Sequence, residues 1–372
     1  MGHILSSIAA GFSGLMNTFA AKTSDIVLQN LDMSDINFLE REISMWKTSP
    51  ERMMQIKGHL YYDGDHDIIY RKRTAIGEKG ELIQVENLPN NRLIDNQYAK
   101  LVNQKANYLL GQPFAMESNN KQYAQALKTI FDKRFMKMLK SAGKSMLEGG
   151  ICWIYPYYTE DGKFSFRVFP AYEILPFWSD TEHTEIDAAV RLYLVAEYNG
   201  SSPSVTEKVE VFTASGIHRY VLRGSTLSPD VDLYSGRNAS SYASAINQDG
   251  SIIPLNWSRI PLIPLKYNEC ETSLLKKVKA LQDGINVMLS DFANNMQEDA
   301  RNTILVLKNY DGTNLGEFRR NLVTYGVVKV RYDGETKGGV ETLEIKVNAD
   351  NYRIILDLLC LLYTSPSPRD VE

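Results

Sequence analysis

Cysteine is scarce in this chain of 372 residues: Cys152, Cys270 and Cys360 are an odd number, and no two stand at metal-ligand spacing. That argues against a disulfide framework or a zinc ribbon and places the chain in a reducing, cytosolic setting. Histidine is nearly as sparse. His3, His59, His66, His183 and His218 are scattered, with neither the His-x-x-x-His nor the Glu-paired pattern of a metal site. A long basic run is also missing. With 41 Lys and Arg against 45 Asp and Glu, the net charge is −4, the wrong sign for gripping DNA tightly by phosphate neutralisation.

Charged side chains are absent from Ile4 to Ala21. A signal peptide needs a positive start, and only His3 precedes this run. A membrane span needs a longer and greasier segment than one diluted by Ser6, Ser7, Ser13, Asn17 and Thr18. Met1-Gly2-His3-Ile4-Leu5-Ser6 fits the loose N-myristoylation pattern, with a frayed or partner-ordered terminal helix as the plainer alternative.

Signatures of chemistry are few. Ser141-Ala142-Gly143-Lys144-Ser145 contains Gly-Lys-Ser, but Met138 occupies the place of the first glycine of a phosphate loop, and the segment follows a helix instead of a strand. Asp63, Asp65 and Asp67 alternate like calcium ligands, yet Thr74 stands where the twelfth-position Glu belongs, which favours a solvated acidic turn. No nucleophile elbow occurs, and no carboxylate pair stands out from the 45 acids. No catalytic, cofactor or metal residue is assigned.

What remains is the composition of a soluble globular protein, 44% apolar and 23% charged, long enough for two or three domains. Ser34 is a suitable N-cap for a helix with Ile36, Leu39, Ile43 and Trp46 on one face. Ser49-Pro50 restarts the chain as a second helix that ends at Asp63-Gly64. Ile68 to Lys72 can form a short strand. After Leu88-Pro89-Asn90-Asn91-Arg92, a helix carries Tyr98, Leu101, Val102, Ala106, Tyr108 and Leu109, and stops at Gly111 and Pro113. Tyr123 to Leu147 reads as one further helix.

From Ile151 the period becomes two. Ile151–Tyr158 and Phe164–Phe169 flank an Asp161-Gly162 turn, and Ala189–Glu197, Lys208–Thr213 and Ile217–Leu222 continue a meander. The aromatics there (Trp153, Tyr155, Tyr157, Phe164, Phe166, Phe169 among them) could stack bases, but Arg167 is the only basic residue among them and strand packing is the better reading. Gly224 to Gly250 reads as an exposed loop, and Ile260–Leu265 as an extended lead into a long helix.

That helix covers Thr272–Ala300 and is about 44 Å long. Leu274, Val278, Leu281, Ile285, Met288, Phe292 and Met296 recur at steps of four and three along one side. Lys279, Asp283, Asn286, Ser290, Asn294, Gln297 and Arg301 share the other, of which Lys279, Asn286, Ser290 and Asn294 are expected to stay wet. An ordinary core helix would also look like this. After it come a strand (Thr303–Lys308), a short helix (Leu315–Tyr325), two strands (Val327–Tyr332 and Val340–Val347) and a new helix from Asn348.

A βαββ module hung between two helices resembles the stem–clip–stem section of tailed-phage portal proteins. The Trp46 helix with Tyr61-Tyr62-Asp63-Gly64, the polar turn at Leu88–Arg92 and the Tyr108-Leu109-x-Gly111-x-Pro113 ending are similar to the siphophage members of that family. The resemblance covers roughly residues 35–359. It implies an α+β protein with the portal fold: an N-terminal tail (1–22), an α/β wing (23–266), a stem helix (267–301), a βαββ clip (302–347) and the start of a second stem helix (348–359).

The family further implies a homo-oligomeric ring, usually a dodecamer, at one capsid vertex of the virion, assembled in the host cytoplasm. Duplex DNA would pass through it transiently during packaging and ejection, driven by a terminase. Head-completion or adaptor proteins and the major capsid or scaffolding protein would be further partners. No membrane is implied, and no enzymatic activity. The resemblance makes Lys279, Asp283, Asn286, Ser290, Asn294 and Gln297 channel-facing and Leu274, Val278, Leu281, Ile285, Met288 and Phe292 the packing stripe. Lys329, Arg331, Glu344 and Lys346 would form the clip's partner surface.

Two readings compete: a phage DNA-processing enzyme (nuclease or modifying) with an unrecognised acidic site, and a structural protein that borrows the wing fold without forming a ring. Residues 360–372 match no portal segment. Pro366 and Pro368 cannot continue a helix, and the string resembles translated sequencing-adapter sequence. The expectation is therefore a break in the second stem helix after Leu359 and a non-native tail, with a natural disordered tail as the alternative.

Overall fold

The structure, a computed structural model, describes residues 33–76, 80–84, 88–112, 114, 116–159, 161–199, 202–233, 235–299, 304–308, 339–343 and 349–363. The expected N-terminal tail, clip helix and strand Val327–Tyr332 lie outside the described residues, as do the clip surface (Lys329, Arg331, Glu344, Lys346), Arg301 and residues 364–372. Helices and antiparallel sheets occur together, as an α+β protein requires. The chain divides into two compact units, one holding residues before 64 and residues 98–278, the other 64–97 and residues from 279 onward. The expected wing boundary at 266 differs from this division: 64–97 group with most of the long helix, and 267–278 with the first unit.

In the first unit, α1 (Ile36–Lys47) is capped by Asp35, whose carboxylate accepts the Asn37 N–H at 3.0 Å. The cap lies one residue later than the expected Ser34. Ser49 accepts the Arg52 N–H and Pro50 opens α2 (Pro50–Asp63), where its missing donor costs nothing. The helix α3 (Gln97–Leu110) follows the predicted register, with Tyr98, Val102 and Ala106 buried. The single helix expected over Tyr123–Leu147 is two, α4 (Lys121–Ile130) and α5 (Lys133–Gly149). Asp132 breaks them, because its carboxylate caps the Arg134 and Phe135 N–H groups and starts a new helix. Gly143 and Lys144 are then mid-helix, a position that offers no phosphate loop.

Strands β3 (Ile151–Tyr158) and β4 (Phe164–Pro170) form the expected hairpin and are joined by β13 (Ile263–Lys266) in the order β13-β3-β4. A larger antiparallel sheet contains β5 (Ile174–Trp178), β6 (Ile186–Asn199), β7 (Ser202–Thr213), β8 (Gly216–Arg223), β9 (Thr226–Pro229) and β10 (Ala239–Ser240). Its order is β10-β8-β7-β6-β5, with β9 also on β8. The Gly224–Gly250 segment, read as loop, supplies β9, β10 and one strand of the hairpin β11 (Ala243–Ile246)–β12 (Ile252–Leu255). Short polar strands carry little period-two signal, so their pairing is set by the neighbouring strands.

Alternation buries both faces of the large sheet. Val190, Leu192, Val209 and Val211 pack with Leu39 and Ile43 of α1, while Ala189 and Phe212 pack with Trp153, Phe169 and Leu262 on the other side. Trp153 and Phe169 sit in the core as expected of packing aromatics, with Tyr155 partly buried against them.

In the second unit, Asp67–Tyr70 forms a 3-10 turn where a strand was expected. The strands lie later, as the hairpin β1 (Thr74–Ile76)–β2 (Leu82–Gln84). The long helix, α6 (Leu274–Asp299), is two residues late and one short of expectation. Strand β14 (Ile304–Lys308) pairs antiparallel with β15 (Gly339–Leu343), so the first and last expected strands of the βαββ module are neighbours. Helix α7 (Ala349–Tyr363) starts one residue after Asn348 and runs four residues past the predicted end at Leu359.

Candidate functional site

The long helix α6 is where the sequence places function. Its start belongs to the first unit. Ser273 accepts the Leu275 N–H at 3.1 Å, as an N-cap does, and donates its own hydroxyl hydrogen to the Glu148 carbonyl at 2.6 Å. The same carbonyl lies 2.1 Å from where a Cβ on Gly58 would stand, so only glycine lets α2 approach the end of α5. The Glu148 side chain is nearly buried and meets His59 Nδ1 at 3.0 Å; His59 Nε2 lies 3.5 Å from Asp63. Burial raises the Glu148 pKa to about 7, opposed by the bond to His59.

Just ahead of Ser273, His183 and Glu271 both hold positive φ (58° and 52°), and their side chains meet at 2.9 Å. Lys266 bonds Glu271 and the His183 carbonyl, both at 2.8 Å, and its ammonium lies over the Trp178 ring. Two strained backbone positions, each costing about 1–3 kcal/mol, are thus tied by one ion-pair cluster.

In the second unit, α6 carries a line of uncharged polar residues at strict i, i+4 spacing: Gln282, Asn286, Ser290 and Asn294. All four are buried, at 0%, 0%, 0% and 4% exposure. Their partner is the strap Asn91–Asp95. Asn294 Oδ1 accepts the Asn91 N–H (2.7 Å), Ser290 Oγ the Leu93 N–H (2.9 Å) and Asn286 Oδ1 the Asp95 N–H (3.1 Å). Gln282 Nε2 donates to the Asp95 carbonyl at 2.7 Å. Asn286 also meets the buried His66 ring at 2.8 Å, and Ser290 donates back to the Asn286 carbonyl. Beside the ladder, Arg71 pairs with Asp291 (2.9 Å), and Lys279 bridges Asp67 (2.6 Å) and Asp283.

This corrects the expected wet face. Asn286, Ser290 and Asn294 do not face solvent, because they satisfy alternate backbone N–H groups that would otherwise be buried without partners. Lys279 and Asp283 are half-buried in an ion pair, and Gln297 is exposed while accepting from Asn91 Nδ2 at 3.1 Å. Gln282, not anticipated, belongs to the ladder. Its signal was legible: four neutral hydrogen-bonding residues in one i, i+4 line, where a solvated face would carry Lys and Glu.

Of the apolar stripe, Leu274 and Ile285 are buried, Val278, Leu281, Met288 and Phe292 are half-buried, and Met296 is 50% exposed. Phe292 packs on Tyr352 of α7 (ring centroids 5.0 Å), whose hydroxyl accepts from Asn295 at 2.9 Å. Leu359 reaches the Cβ-free side of Gly284, so α7 runs antiparallel along α6. The other face of α7 presents Ile354, Ile355 and Leu358 to solvent.

No group of three or more His, Cys, Asp or Glu among the described residues could hold a metal, and no described helix is long and apolar enough to cross a membrane. Cys152 is buried, its thiol pushed up to about 12 by burial.

Comparison with known proteins bears on the whole arrangement. The portal protein of Bacillus phage SPP1 is 31% identical over 303 residues, 82% of this chain and 57% of that protein. The portal protein of Clostridium phage phiCD119 is 24% identical over 321 residues, 83% of this chain and 66% of that protein. The chain therefore spans less than two thirds of the length of each. A family model described as "Phage portal protein, SPP1 Gp6-like" matches residues 51–359. Through that match, which takes in α6 and most of α7, the chain belongs to the SPP1 Gp6-like family of phage portal proteins.

Proposed function

We propose that this chain is the subunit of a ring-shaped channel at a capsid vertex, through which DNA is packaged and later ejected. The observation that carries this is the pair of antiparallel helices α6 and α7 with apolar side chains left on both. Val278, Leu281, Met288 and Phe292 are only half-buried within one chain, and Ile354, Ile355 and Leu358 are exposed. Such faces are covered when helices of neighbouring copies pack side by side.

In this reading residues before 267 form the wing, α6 and α7 the stem, and the module containing β14 and β15 the clip, which docks the terminase and then head-completion proteins. The wing meets capsid or scaffolding protein, twelve copies close the ring, and its work is geometric. Lys279, Asp283 and Gln297 are the stem polar residues left for the channel wall. Asn286, Ser290 and Asn294 hold the strap instead.

Negative-stain microscopy of the purified chain tests the reading. Annular particles with an axial opening support it; a population of single chains at all concentrations removes it.

A further inference from the structure

The chain is acidic overall, but one stretch is not. Residues 97–149, covering α3 to α5, hold nine Lys and Arg against three acids, whereas the rest of the chain holds 32 against 42. On α5, Lys133, Lys137, Lys140 and Lys144 fall within an arc of about 60° and span about 16 Å of helix. Ser141 and Glu148 border that arc on one side, and Glu148 is engaged by His59. Lys133, Lys137 and Lys140 have no ion-pair partner among the described residues, nor have Lys121, Lys128 and Arg134 nearby in sequence. Lys133 and Lys137 are exposed and Lys140 is half-buried; Lys144, also half-buried, donates to the Tyr62 hydroxyl at 3.0 Å and its charge acts on Glu148, which sets it apart from the other three. Asp132, the nearest acid in sequence, is occupied as the cap of α5.

The helices carrying these charges are firmly rooted. Phe131 and Phe135 meet edge to face at 4.6 Å, and Phe135 packs on Phe166 of β4 at 4.9 Å. The lysine stripe therefore projects from a fixed support. An interface with another protein would place aromatic or apolar anchors at its centre and few lysines. This arc has no apolar residue. A regular line of ammonium groups without acidic partners suits instead a ligand whose negative charge is itself regular, and duplex DNA carries one charge per about 1.7 Å of axis.

We propose that the Lys133–Lys137–Lys140 face of α5 is a sequence-independent contact for the phosphate backbone of duplex DNA. It rests on the unpartnered charge of these lysines and the exposure of Lys133 and Lys137, and stands whether or not the chain closes a ring. The contact is electrostatic, so it is weak at physiological salt, in the roughly 10⁻⁴–10⁻⁶ M range of non-specific binding, and steeply salt-dependent.

The test is fluorescence anisotropy of the full chain with a labelled mixed-sequence duplex of thirty base pairs, between 50 and 200 mM salt. A K133E/K137E/K140E variant should weaken binding by roughly tenfold or more at the low-salt end and reduce the salt slope by about three. A K163E/R237E/K276E variant makes the same charge change at scattered exposed positions and should lose little. A K137Q/K140Q variant, which adds no negative charge, should show an intermediate loss, and far-ultraviolet melts of all three should match the parent. Equal losses in the two triple variants, absence of salt-dependent binding by the parent, or a more than tenfold preference between two duplex sequences would each overturn the proposal. So would a K133E/K137E/K140E variant that binds DNA normally but loses self-association, which would make the face a contact for an acidic surface of a second copy.

Discussion

Asn294 of the long helix accepts two hydrogen bonds from Asn91, one from its backbone N–H at 2.7 Å and one from its side-chain amide at 2.9 Å. That pairing opens a ladder in which Ser290 takes Leu93 and Asn286 takes Asp95. The ladder works because two periods nearly coincide. Four residues of helix advance about 6.0 Å, two residues of extended chain about 6.6 Å, and alternate N–H groups of an extended chain point the same way. A neutral i, i+4 line on a helix can thus read a peptide backbone without any buried charge.

Removing a rung leaves a buried N–H without a partner. Asn286→Ala and Asn294→Ala should each lower stability by about 1–3 kcal/mol in urea denaturation, whereas Met296→Ala should change it by less than about 0.5 kcal/mol. Ser290→Asp, harmless on a wet helix face, should cost several kcal/mol at this buried position. An unchanged urea midpoint for Ser290→Asp would show that the strap does not cover this face in solution.

Gly58 should tolerate no side chain. Its Cβ would stand 2.1 Å from a backbone oxygen, which cannot rotate away as a side chain could. Gly58→Ala should destabilise the first unit by about 1–3 kcal/mol or more, seen as a lowered Tm. A Tm equal to the parent would mean that α2 and the end of α5 are farther apart than described.

Glu148 makes stability depend on pH. Its folded pKa is raised from 4.5 to about 7, so its proton is held more tightly in the folded than in the unfolded chain. The associated stability is complete below pH 4.5 and is lost as pH rises through 7. From pH 5 to 8 the parent should therefore lose stability relative to Glu148→Gln, by on the order of 3 kcal/mol at most. Parallel Tm profiles for the two proteins across that range would contradict the assignment.

Helices α1, α2, α3 and α6 and strands β3, β4, β6, β7 and β8 were legible because their periods are set by faces buried within the same unit, whereas the five-residue β5, interrupted by Pro176, was not. The single Tyr123–Leu147 helix failed on one residue, Asp132, whose capping carboxylate outweighs a continuous apolar pattern. The 3-10 turn at Asp67–Tyr70 and the short strands between Gly224 and Gly250 carry too few residues for a period to show. The channel-facing assignment of Asn286, Ser290 and Asn294 went astray for a different reason. Polarity was read as exposure, while the partner strap, 191 to 203 residues away in sequence, gives no periodic signal of its own.

The exposed face of α7 should matter for assembly and not for the single chain. Ile354→Glu and Leu358→Glu remove apolar groups that are 64% and 54% exposed, so stability should shift by less than about 0.5 kcal/mol. Light scattering on a sizing column should nevertheless show a smaller assembly. Parent-like assembly in both variants would take α7 out of the interface.

The most direct test of the central claim, that copies of this chain close into a ring through α6 and α7, is negative-stain microscopy of the parent beside the Ile354→Glu/Leu358→Glu double variant. The account predicts annular particles for the parent and their loss in the variant, with the chain still folded. Single particles of one-chain size for the parent, or rings that persist in the variant, would contradict it.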